Sequence, residues 1–243
     1  MRNVWTIAQR EFRHYFVSPI AYAVALFLFV VLGILFYSNI SFGMQGGTFT
    51  PDGRLVMGPM VTLLLLTVPF LTMRLIAEEA GSGTLELLLT APIRDWELVL
   101  GKWLGAMGFI GLVLALTWIY PIVLHRMTTP GIDQGQLLVA YLGVLLMVGA
   151  IAAIGVMVSA FFRNSLAAGF VTLAVILVLW VIGGLAAGSS SGSEVMRYLS
   201  FGDHLFDNLF QGVVDLGDVL YFVSLTILAL FIGSQAVESR RWR

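Results

Sequence analysis

Six stretches of the 243-residue chain, at 20–40, 55–73, 103–124, 137–161, 166–187 and 219–237, are long, apolar and free of Asp, Glu, Lys and Arg. A helix needs about 20 such residues to cross the hydrocarbon of a bilayer. A charge near the middle of one costs about 2.5–3.5 kcal/mol on insertion scales, so charge-free runs of this length mark spans. Nor can the chain as a whole make a water-facing surface: 59% of all residues are apolar and 11% charged, against about 45–50% and about 25% in a soluble domain. A soluble enzyme and a nucleic-acid binder are thereby excluded, the latter also by a formal net charge of −1. With no cysteine there is no disulfide framework, no thiol chemistry and no Cys-ligated metal. The expected fold is an all-α integral membrane protein, six transmembrane helices forming one domain over 1–243. Pro59 and Pro69 fall in the second run, and a kink is expected near Pro69, where an intrahelical bond is lost.

Six spans bring both termini to one side. That side would hold Arg2, Arg10, Arg13, Arg74, Arg94, Lys102, Arg163, Arg240, Arg241 and Arg243, ten of the thirteen basic residues. By the positive-inside rule it is the cytoplasmic side of the plasma (inner) membrane. The first span follows a polar segment with no A-x-A-like cleavage site after it, so it is expected to remain as an anchor.

Four segments are not spans. The first, 1–17, places Val4, Trp5, Ala8, Phe12, Tyr15 and Phe16 at helical spacing with Arg2, Gln9, Arg10 and Arg13 mostly opposite, the pattern of an interfacial amphipathic helix. The second, a cytoplasmic coupling region over 78–102, is the most informative. Glu78 and Glu79 extend the second helix, Gly81-Ser82-Gly83 breaks it, and Ser82 or Thr84 can cap a short helix over 84–90. Leu85, Leu87, Leu88 and Leu89 nearly encircle that helix, and Pro92 ends it. Asp95 is expected to cap the next helix, with Glu97 in its first turn. A crossbar apolar on most sides must be covered, either by its own bundle or by a groove in a cytoplasmic protein. The third segment, 188–218, predicts two short amphipathic helices on the outer side. Asp203, His204 and Asp207 there read as a solvated polar face rather than a metal site. The last, 238–243, is a short basic stop. Within the third span Gly101, Gly105 and Gly108 share one face, continued by Ala115; small residues on one face mark a helix-packing interface, with a helix of this or another chain.

The chain carries little chemistry of its own. No G-x-x-x-x-G-K-[ST] occurs, so no phosphate cradle is present. There is no H-E-x-x-H and no local sign of a Ser/His/Asp triad, and no catalytic, cofactor-binding or metal-ligating residue is identified. The absence of ionisable groups inside the apolar runs argues against a proton- or ion-coupled carrier. Energy for any transport must come from another protein.

Two stretches, REFRHYFVSPIAY at 10–22 and EEAGSGTLELLLTAPIRDWELVLGKWLGA at 78–106, resemble the ABC-2 type permease subunits of ABC transporters, and within them the gliding-motility-associated branch. The motif falls on Glu78, Glu79, Gly83, Thr84, Leu85, Glu86, Leu87, Leu88, Pro92 and Lys102. The resemblance implies a permease that is not itself an enzyme, paired with a cytoplasmic ABC ATPase that binds ATP and Mg. It also implies a second membrane subunit, identical or related, in the same lipid bilayer, and export as the direction. In this reading Thr84–Leu89 docks the ATPase and Glu78, Glu79 and Glu86 orient it; charged replacements of Leu85 and Leu88 are expected to release the ATPase without disturbing insertion. The alternative is a membrane scaffold of a motility or secretion machine that holds an ATPase and moves no substrate.

Overall fold

A computed structural model of the protein describes residues 2–46, 54–90, 93–128, 131–186 and 193–241. Among these residues the chain is helical throughout and contains no strand. In chain order the helices are α1 (Arg2–Val17), α2 (Pro19–Gly46), α3 (Arg54–Thr72), α4 (Ala77–Ser82), α5 (Thr84–Leu89), α6 (Asp95–Leu116) and α7 (Ile119–Met127). They continue as α8 (Gln134–Phe161), α9 (Ser165–Ala186), α10 (Ser193–Leu199), α11 (Phe201–Phe206) and, after a 3-10 turn at Leu209–Gln211, α12 (Leu216–Arg241). Six helical segments are long and apolar enough to cross a membrane, and the protein is an all-α, multi-pass membrane protein.

The spans divide into a centre and a periphery. In the best apolar window of Val56–Ser82, 78% of residues are buried, and in that of Gln134–Phe161, 72%; for Pro19–Gly43 the share is 17%. Hydropathy does not make this difference, since α2 and α8 are equally apolar. Small residues do. α8 offers Gly149, Ala150, Ala152, Ala153 and Gly155, all buried, and a Cβ at Gly155 would overlap the Thr72 side chain. α2 instead turns Leu26, Phe27, Val30 and Ile34 outward, each at least half exposed, as lipid-facing residues do.

Two spans depart from the sequence expectations. The second stays helical through Pro69, with the Met73 N–H bonded to the Pro69 carbonyl at 2.9 Å, and then breaks at 73–76, one turn beyond that proline, before resuming as α4. The third breaks at Thr117–Trp118 into α6 and α7. Pro121 explains that break: it has no N–H for the Thr117 carbonyl, which takes the Tyr120 N–H at 3.1 Å instead. At the face bearing the chain ends, helices outrun the apolar stretches, so Arg74, Glu78, Glu79 and Lys102 lie within the helical spans rather than in a connecting loop.

At the opposite face α10, α11 and the 3-10 turn form a cap that rests on α9 and α8. The Ser200 hydroxyl, accepting the Asp203 N–H at 3.4 Å, starts α11. The interruption between the two short helices therefore sits at Ser200, not at Gly202.

Candidate functional site

α1 places Val4, Ala8, Glu11 and Tyr15 on one stripe at helical spacing, and all four are buried. Ile7 and Phe12 are partly buried beside this stripe, whereas Trp5, Phe16 and Val17 turn away, Trp5 being 70% exposed. The buried stripe lies on the glycine face of α6. A Cβ at Gly101 would sit 2.8 Å from the Ile7 Cβ and 3.0 Å from the Val4 carbonyl. One at Gly105 would sit 2.5 Å from the Glu11 Cβ and 2.9 Å from the Ala8 carbonyl, and one at Gly108 3.1 Å from the Phe12 ring. The partner that the Gly101, Gly105 and Gly108 stripe admits is thus the protein's own α1.

Close approach brings Glu11 to Lys102. The Lys102 Nζ donates to the Glu11 Oε1 at 2.9 Å and to the Glu79 Oε1 at 2.9 Å, and the residue is 1% exposed. Arg10, from the water side, reaches the same Glu79 oxygen at 3.3 Å. Two carboxylates and two cations make the cluster neutral, the condition for holding charge away from water. Glu79 Oε2 is buried with no hydrogen-bond partner, so the cluster carries the cost of an unmet acceptor, about 1–3 kcal/mol. Lys102 therefore ties together three elements: α1 through Glu11, α4 through Glu79, and its own α6.

Tyr15 adds the break in the second span to this joint. Its ring stacks on Phe109 of α6 at 4.9 Å, and its hydroxyl donates at 2.9 Å to the Leu71 carbonyl. That carbonyl would take the Leu75 N–H in an unbroken helix, but Leu75 bonds to Thr72 at 3.2 Å instead. Burial first, then the Glu11 charge, pushes the phenol far above its ordinary range against the opposing Arg74 charge, so Tyr15 remains a donor. A cavity of about 420 Å³ between α1, the start of α2, α3 and α4 opens the joint to this face.

The crossbar hangs from the joint. Gly83, at φ 75°, turns the chain from α4 into α5, a conformation open to glycine at little cost. Neither Ser82 nor Thr84 caps α5. Both hydroxyls point back to the end of α4: Ser82 donates to the Glu78 carbonyl at 2.9 Å, Thr84 lies 3.4 Å from that of Glu79, and the two oxygens are 2.9 Å apart. Gly81 stays helical, with no room for a Cβ beside the Arg163 carbonyl at 2.5 Å. Glu78 leaves the cluster and pairs bidentately with Arg74 at 2.7 and 2.8 Å. Of the crossbar residues, Thr84 and Glu86 are exposed and Leu88 is half-buried, whereas Leu85 is 3% exposed and belongs to the protein's own core. Leu85 is thus a packing residue, and its replacement by a charge would disturb the bundle. The side chain of Leu87, and Pro92 altogether, lie outside the described residues. Beside α5 a groove of about 550 Å³ is walled by Gly83, Glu86, Phe161, Arg163 and Arg240. α6 starts at Asp95, but the carboxylate that reaches back to the Arg94 N–H, at 3.1 Å, is that of Glu97; Asn3 of α1 donates to it at 3.1 Å.

The motif includes both Glu79 and Lys102 without showing that they meet; Arg10 and Tyr15 read only as parts of an interfacial helix, and Glu11 was missed. The signal was available: Glu11 stands in line with Val4, Ala8 and Tyr15 on the apolar stripe, where an unpaired acid is costly. On the opposite face Asp203, His204 and Asp207 do not converge. Asp203 faces Arg197 at 3.8 Å, His204 turns to Asp218, and Asp207 is exposed. Among the described residues no three His, Cys, Asp or Glu side chains are grouped to hold a metal ion.

The sequence pattern of a family described as ABC-2 family transporter protein matches residues 5–232. The chain is also 34% identical, over 119 residues, to the probable ABC transporter permease protein NosY of Pseudomonas aeruginosa. That similarity takes in 48% of this chain and 42% of the relative's length.

Proposed function

The chain belongs to the ABC-2 family of transporter proteins, and from that premise we propose that it is the permease subunit through which a separate cytoplasmic ABC ATPase drives a substrate across the membrane. The observation that carries the reading is Lys102, 1% exposed and bonded at 2.9 Å to both Glu11 and Glu79. The crossbar α5 offers Thr84, Glu86 and part of Leu88 to a partner, beside the groove walled by Arg163 and Arg240. A push on α5 passes through Gly83 to α4, through Glu79 to Lys102 on α6, and through Glu11 to α1. Tyr15 holds α1 to the break in the second span, so the same push bears on the segment where that span is already interrupted. The chain supplies the mechanical path; ATP and Mg belong to the partner.

The face with the chain ends is the cytoplasmic one in this proposal, since ten of the thirteen basic residues gather there, and the membrane is the plasma membrane. The lipid-exposed periphery leaves surface for a second permease subunit, identical or related. Export, and placement in the gliding-motility-associated branch, rest on the resemblance of 10–22 and 78–106 to that branch.

Expression with the neighbouring genes and purification in mild detergent tests the reading. A protein with a Walker motif is expected to copurify and hydrolyse ATP. Glu86→Lys combined with Leu88→Asp is expected to release it while the permease still inserts. A permease that purifies without any ATPase, or a double variant that retains it fully, contradicts the proposal.

A further inference from the structure

His204 of α11 has an acceptor at each ring nitrogen. Nδ1 lies 2.6 Å from the Asp218 Oδ1 on α12, and Nε2 lies 2.9 Å from the Tyr198 carbonyl on α10. A carbonyl and a carboxylate oxygen both need a hydrogen from their partner. One proton must sit on Nε2 and a second between Nδ1 and Oδ1, whichever of the two atoms holds it. The two His204 contacts therefore close together only with one proton more than a neutral imidazole beside a carboxylate. Remove either proton and two lone pairs face each other at hydrogen-bond distance.

The surroundings favour the closed pair. Asn208 donates to the other Asp218 oxygen at 2.9 Å, and Tyr221 stacks on the His204 ring at 4.1 Å while its hydroxyl donates to the Leu199 carbonyl at 2.8 Å. The His204 and Asp218 side chains are 13% and 5% exposed, so solvent reaches the imidazole and hardly touches the acid. The other groups around the ring are accounted for. On α10 the Tyr198 ring lies edge-on, and Arg197 points instead to Asp203 of α11 at 3.8 Å; on α12 Tyr221 is held as a donor; Asp207 is exposed. These side-chain contacts connect the cap to α12, whereas its backbone rests on α9 and α8.

We infer that the α10–α11 cap is latched by a doubly protonated His204–Asp218 pair, one proton bridging to α12 and one to the Tyr198 carbonyl. Losing either proton to solvent at that face forfeits one of the two contacts and loosens the cap, which is then held to α12 mainly by the Asn208–Asp218 and Tyr221–Leu199 bonds. His125, also at that face, is built the other way: its Nδ1 accepts the Ile132 N–H at 3.2 Å, so it is satisfied when neutral.

Hydrogen exchange of the protein in lipid nanodiscs, followed from pH 5.5 to 8.5 and corrected for intrinsic exchange rates, tests the latch. The amides of 199–212 are expected to lose protection on the order of tenfold across this range, the scale of one charged hydrogen bond. Asp218→Asn is expected to move the change to lower pH, and His204→Gln to abolish it. His125→Gln is expected to leave it in place. Flat protection in the unmodified protein overturns the latch, as does a pH dependence that survives His204→Gln or disappears with His125→Gln.

Discussion

Each face of this protein docks a short amphipathic element onto a spanning helix, and the two joints are built on different principles. At the face bearing the chain ends, α1 meets α6 backbone to backbone, because Gly101 and Gly105 leave no side chain between them, and the buried charges of Glu11, Lys102 and Glu79 pin the contact. At the other face, α11 reaches α12 through side chains, an imidazole on a carboxylate with aromatic rings around it. The first joint cannot loosen by degrees, since parting α1 from α6 would strand Lys102 in an apolar setting. The second loosens when a single proton leaves, because one of the two His204 contacts is then lost. A joint of the first kind suits a part that carries force, and one of the second kind suits a part that must release.

The comparison can be broken most forcefully at Gly105. Gly105→Leu drives a side chain into the Glu11 Cβ and the Ala8 carbonyl, so α1 must leave α6 and Glu11 must leave Lys102. The expected loss is at least about 4 kcal/mol, combining overpacking with a broken buried pair, read as SDS-induced unfolding together with new protease cleavage in α1. Lys102→Met comes next. It keeps the packing but leaves Glu11 and Glu79 with only the water-side Arg10 as counter-charge, at about 3–5 kcal/mol. Adding Glu11→Gln and Glu79→Gln is expected to return most of that stability, because a neutral cluster costs less to bury; unchanged instability in the triple variant would show that charge is not what the joint manages. His204→Gln has a smaller and local effect, about 1–2 kcal/mol in the exchange of the cap, with α1 as well protected as before. The least is expected of Arg74→Ala, whose pair with Glu78 is partly exposed and one helical turn long; a thermal shift corresponding to more than about 0.5 kcal/mol would mean that this pair belongs to the buried cluster.

The spans were legible in the sequence because the bilayer imposes one rule, apolar length, that the chain obeys in each of them. The crossbar was legible as well, since Gly83 and the change from Glu78 and Glu79 to leucines mark it. Which spans lie at the centre was not legible from hydropathy, since α2 and α8 have the same value; the Gly and Ala content of α8 carries that information. The charged joint was only half legible. Periodicity displayed the stripe of Val4, Ala8 and Tyr15, but Glu11 was left out of it as a polar residue, and Lys102 stood only as one more basic residue and a motif position. Both misreadings share one cause: a buried ion pair is invisible until its two halves, ninety residues apart in sequence, are brought together. Leu85 looked like a docking residue for a related reason. A short helix with leucines nearly all around does not say which of them faces inward.

The most direct test of the central claim, that α1, α4 and α6 move as one unit under the crossbar, is a spin-label distance. The chain has no cysteine, so Gln9→Cys and Ser82→Cys place one label on α1 and one on α4 with no background. In the complex with the ATPase proposed above, the distance distribution is expected to stay narrow and unshifted between the nucleotide-free and ATP-trapped states, and to broaden when Lys102→Met is added. A shift on ATP binding in the otherwise unmodified permease, or a narrow distribution that persists without Lys102, would contradict the account.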